Sequence, residues 1–213
     1  MASYLYILCQ ALDLRALQKH YNAALSRLLT EELTTHLSAH VPTAAMSSLH
    51  SRIMTAILAA LESTTTMDAV PRLRTVASAT TTPILDFVAS SSISTTGDLV
   101  GAIAAFRGSF AQRGAQLLQD LRSSFLQGTA APPSGATTYN PLAPAAHFLG
   151  RTRPVYEYIR VDLGVRTHGK ENFNKFDNGL GNTEGQPGIG RNVSIIYEVR
   201  RITIHTLSLS EHG

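Results

Sequence analysis

From Ala2 to Leu37 apolar residues recur at helical spacing, and no proline interrupts the pattern before Pro42. Leu5, Leu8, Leu12 and Ala16 fall on one stripe, and Leu14, Leu17, Tyr21, Leu25, Leu28 and Leu29 on another. Through Leu14 only Gln10 and Asp13 are strongly polar, so this stretch is apolar nearly all round. A helix of that kind has to be covered on every side, in a bundle core or at an interface. The pattern therefore predicts the end of an interior helix, not the free first helix of an isolated domain.

The rest of the chain reads as further helices joined by two long loops. Ser47 to Glu62 is a second amphipathic helix, with Leu49, Ile53, Ile57, Leu58 and Leu61 aligned. Thr64 to Thr66 is a break. Leu73 to Ser91 is weakly helical, with Pro83 tolerable near a helix N-terminus. Gly97-Asp98 starts a fourth helix running to about Leu126, its stripe made of Ile103, Phe106, Phe110, Leu117, Leu121 and Phe125. Gln127 to Pro144, rich in Gly, Pro, Ala and Thr, is the first loop and the clearest linker. Pro154 to Leu163 is a short helix stopped by Gly164. His168 to Ile189 is the second loop, and a last helical turn begins near Asn192 with Asn192 or Ser194 as its cap. The fold class is all-α.

Composition narrows the partners. Hydrophobic residues make up 44% and charged residues 15% of the 213, the latter low against a usual value of about 25%. Such a chain buries surface against partners or carries a Ser/Thr-rich surface. The net charge of +3 is scattered. The densest basic group, Arg151, Arg153, Arg160 and Arg166, is interrupted by Glu157 and Asp162, and reads as a solvated or salt-bridged helix face. No nucleic-acid partner is expected, since that needs Lys and Arg clustered on one face. The single cysteine, Cys9, lies in an apolar run with no basic neighbour and is expected to be buried and inert. No signal peptide is recognisable and no membrane partner is expected, so the expected location is cytoplasmic.

No constellation builds an active site. Gly179-Leu180-Gly181 with Gly185, Gly188 and Gly190 fits neither phosphate-loop spacing, and no strand precedes it. His36 and His40 stand four apart without the glutamate of a zinc helix or a third ligand, and read as a solvated face. Ser134-Gly135 beside Pro133 offers neither elbow nor base. Tyr4, Tyr6, Tyr156 and Tyr158 are more readily packing residues than general bases. Asn192-Val193-Ser194 is a formal glycosylation sequon that has no meaning without secretion. No catalytic, cofactor-binding or metal-binding residue is assigned.

Three segments do carry a resemblance. They are Ser3 to Leu17 (SYLYILCQALDLRAL), Phe148 to Val165 (FLGRTRPVYEYIRVDLGV) and Gly190 to Glu198 (GRNVSIIYE). In this order they resemble the C-terminal part of eukaryotic phenylalanine ammonia-lyases, most closely the fungal type. Helix placement matches better than residues in between. The resemblance implies a long helical protein assembled as a homotetramer that eliminates ammonia from L-phenylalanine, sometimes L-tyrosine, to give a cinnamate. It also implies an electrophilic methylidene-imidazolone (MIO) group made from an internal Ala-Ser-Gly, and a tyrosine base that removes the β-proton. No Ala-Ser-Gly occurs in these 213 residues, and no position matches the family's catalytic motifs.

The resemblance also suggests a division of the chain. Residues 1–37 would hold the end of a core-bundle helix, 38–130 a helical shielding-type domain, 131–198 a linker and C-terminal helical segment, and 199–213 a divergent tail. Met1 stands directly before a segment internal to the family, as though a start codon had been assigned late. Val199 to Gly213 alternates in a strand-like way where the family continues a helix, and is expected to be disordered or loosely packed. The function implied is that of a lyase fragment acting only beside subunits that supply the MIO group. The alternatives are a non-catalytic helical interaction module on full-length lyase subunits, or an unrelated helical adaptor.

Overall fold

A computed structural model describes residues 1–91, 98–132, 139–168 and 189–210, the last from 200 onward in backbone only. Its helices are α1 (Ala2–Leu37), α2 (Thr43–Ser63), α3 (Ala69–Ala79), α4 (Thr81–Ser90), α5 (Leu99–Gln127), α6 (Arg153–Glu157) and α7 (Ile189–Ser210). A 3₁₀ turn at Ala146–Phe148 precedes α6, and a π turn at Tyr158–Asp162 follows it. Among the described residues there is no strand, and the all-α expectation holds.

The chain divides into two compact units, one of His20–Leu121 and one of Met1–Lys19 with Arg122–Gly213; α1 and α5 contribute residues to both. In the first unit one face of α1 carries Leu25, Leu29, Leu33 and Leu37 into the core, all buried. They meet Leu49, Ile53, Ile57 and Leu61 of α2, Leu73 of α3, Ile84 and Phe87 of α4, and Ile103, Phe106 and Phe110 of α5. Burying one such side chain contributes about 1.5–3 kcal/mol, so this stripe is what holds the four partners of α1. Phe106 and Phe110 stack with ring centroids 5.7 Å apart. By length and composition α2 is apolar enough to cross a membrane, longer than any run expected from the sequence. Its buried stripe nevertheless belongs to this core.

Three boundaries differ from the sequence reading. Leu73 to Ser91 is two helices, not one weak one, because Thr80 is fully buried and its hydroxyl donates to Ala77 O at 2.7 Å. Pro83 lacks the N–H that would bond the carbonyl of Ala79, so the ladder cannot run through this point. Helix α7 starts at Ile189, ahead of both proposed caps. Asn192 is instead a fully buried side chain within the helix, and Ser194 Oγ donates back to Gly190 O at 3.0 Å. The tail read as strand-like is helical through Ser210. A lone strand without a sheet edge leaves its backbone groups unpaired, whereas a helix pairs them internally.

Other expectations are met or sharpened. Gly164 ends the α6 segment with φ +65°, the left-handed conformation that glycine takes at no steric cost. In the first loop Ala130 and Ala143 are buried, so its described ends pack and do not act as a free linker. The glycine run 179–188 and Ser134-Gly135 lie outside the described residues.

Candidate functional site

The two polar exceptions of the apolar N-terminal stretch, Gln10 and Asp13, anchor a polar cluster in the unit of Met1–Lys19 and Arg122–Gly213. One carboxylate oxygen of Asp13 accepts from the Tyr156 hydroxyl and the other from Thr167. Arg160 forms an ion pair with the same carboxylate, and both side chains are 0% exposed. Arg160 Nη1 also donates to Val165 O at 2.8 Å, and the Tyr156 hydroxyl accepts from the Ala145 N–H at 3.1 Å. One carboxylate thus ties α1 to α6, to the π turn and to Thr167 beyond it.

A second layer runs from Gln10. Its side-chain amide donates to His168 O at 2.6 Å and accepts from the His168 N–H at 3.2 Å. The His168 ring, at Nδ1, lies 2.9 Å from the Tyr6 hydroxyl and 3.4 Å from Asn192 Nδ2. Around both layers pack Ala2, Cys9, Ala16, Phe125, Ala146, Ile159, Val165 and Ile196.

The hydrogen bonds and the ion pair make this cluster a clasp between segments far apart in sequence. Burial pushes the Asp13 carboxyl above the ordinary carboxylate range, against the pull of Arg160 and of the Thr167 and Tyr156 hydroxyls. Burial and the neighbouring carboxylate push the Tyr156 phenol far up, so it keeps its proton and donates a hydrogen bond to Asp13. Burial likewise raises Tyr6. A tyrosine acting as general base needs the opposite shift. Cys9 is buried as expected, and burial raises its thiol against the pull of Arg160, which favours the protonated form. Among the described residues no group of three or more His, Cys, Asp or Glu could hold a metal ion.

The four arginines between 151 and 166 separate by role. Arg160 is not solvated at all; it is the buried partner of Asp13. Arg153 pairs with Glu157 one turn on, at 2.9 Å, while Arg151 and Arg166 are exposed. His36 bonds to Glu32 at 3.3 Å, and His40 is buried, so the pair is not a solvated face. Glu32 is itself buried against Arg113, which also holds Glu31 at 2.8 Å. Tyr4 and Tyr158 are largely exposed. The expected all-round burial of the first helix is half met. Tyr6, Cys9 and Asp13 face the core, whereas Tyr4, Ile7, Leu8 and Leu14 face outward.

Sequence reasoning assigned Asp13 no partner and missed Thr167 and His168, which lie at the edge of a loop. A strongly polar residue within an otherwise apolar helix was the available signal, since a buried charge is kept only when paired.

No protein-family model matches the chain. It is 40% identical over 201 residues to a phenylalanine ammonia-lyase of Flammulina velutipes, 43% over 202 residues to one of Strobilurus tenacellus and 39% over 216 to one of Pleurotus ostreatus. Each match covers 94% of this chain but 26% of the relative, so the chain spans about a quarter of the length of the curated relatives it matches. The crystal structure of phenylalanine ammonia-lyase from Rhodosporidium toruloides superposes with a TM-score of 0.69 and 24% identity, covering 98% of this chain and 29% of that one. That superposition shows a shared helical fold. Over nearly its whole length the chain is a homologue of fungal phenylalanine ammonia-lyases, matching about a quarter of theirs.

Proposed function

We propose that these 213 residues serve in an assembly of the phenylalanine ammonia-lyase type, in which residues outside them supply the MIO-forming segment, and that by themselves they convert no substrate. One observation carries the reading: a match over 94% of the chain reaches only 26% of the relative, and no Ala-Ser-Gly lies within the 213 residues. The residues here do not fit the MIO group, because its parent tripeptide is absent from them. What the chain supplies is scaffold. Asp13, Arg160, Tyr156 and Thr167 fix α1 to the segment around α6 without leaving a reactive group. Residues 38–130 act as the shielding-type domain, the assembly is a homo-oligomer with an aromatic amino acid as its substrate, and its place is the cytoplasm.

The test is cinnamate formation from L-phenylalanine, followed by ultraviolet absorbance. The purified chain alone should give none. Mixed with a fungal lyase subunit truncated to remove the matching stretch, it should restore activity. Cinnamate from the chain alone would overturn the reading, as would failure to restore a truncated subunit that the intact stretch, supplied in trans, does restore.

A further inference from the structure

We draw no further inference here: the strongest candidate, the outward apolar face of the first half of α1 formed by Tyr4, Ile7, Leu8 and Leu14, is exposed in its unit, and nothing in the structure shows what covers it.

Discussion

At the scale of single residues, the Asp13–Arg160 pair decides more than any other contact in its unit. Both side chains are fully out of solvent, so neither charge is tolerable without the other. D13N leaves Arg160 buried and uncompensated, and urea unfolding should show a loss of about 3–5 kcal/mol. R160M should cost a comparable amount, while D13N/R160M should cost less than the sum of the two. An additive double variant would show that the pair is not coupled. His147 gives the pH-dependent counterpart. Burial lowers its pKa below the ordinary 6.5, helped by Lys19 and Arg153 and opposed by a hydrogen bond at Pro144. A lowered histidine pKa means that the folded state favours the neutral ring. Its contribution is therefore full above about pH 6.5 and is lost as pH falls through that value toward the folded pKa. Melting temperature should fall over this window, and H147F, which keeps a ring against Tyr139 and Phe148, should flatten that part of the profile. An unchanged slope in H147F would assign the acid sensitivity elsewhere.

At the scale of elements, α1 shows what periodicity can and cannot tell. Its span was legible because uninterrupted apolar spacing leaves helix as the one element that fits. Its exposure was not, since an all-round apolar helix says only that something must cover it, and one chain covers one face. Tyr6, Cys9 and Ala16 are buried, while Ile7 and Leu8 are 61% and 54% exposed. Replacing the exposed pair, I7Q/L8Q, should reduce self-association in light scattering and leave the melting temperature within about 1–2 °C, because surface changes rarely exceed ±0.5 kcal/mol. Leu12 packs against the buried cluster, so L12Q should destabilise instead. Equal self-association of I7Q/L8Q and the parent chain would show that this face is not the sticky one. The same logic explains the misread tail. Alternation of Ile202, Ile204, Leu207 and Leu209 with polar residues satisfies a strand pattern, but pattern alone cannot see that the described residues offer no partner strand. The split at Thr80 was similarly hidden, for it depends on a buried hydroxyl bond and not on spacing.

At the scale of the whole molecule, the two units have separate cores, one built on the leucine stripe of α1 and the other on the Asp13 clasp. The stripe was legible in the sequence because leucines at helical spacing name their own face. The clasp was not, because Asp13, Tyr156, Arg160 and Thr167 come from positions up to 154 residues apart and no spacing rule joins them. This difference in construction has a measurable consequence. Leu29 is completely buried in the first core and has no part in the second. L29A should cost about 2–5 kcal/mol through lost transfer energy and the cavity left behind. If each core stands on its own contacts, that loss should appear in hydrogen exchange as faster opening of α2, α3 and α4. Amides of Tyr156, Ile159 and Arg160 should keep their parent rates. D13N should do the reverse, with exchange accelerating around α6 and the π turn while α2 stays protected. Uniform acceleration across the chain in either variant would mean that the two cores open as a single cooperative unit, since sub-global opening is confined to the unit whose contacts are lost.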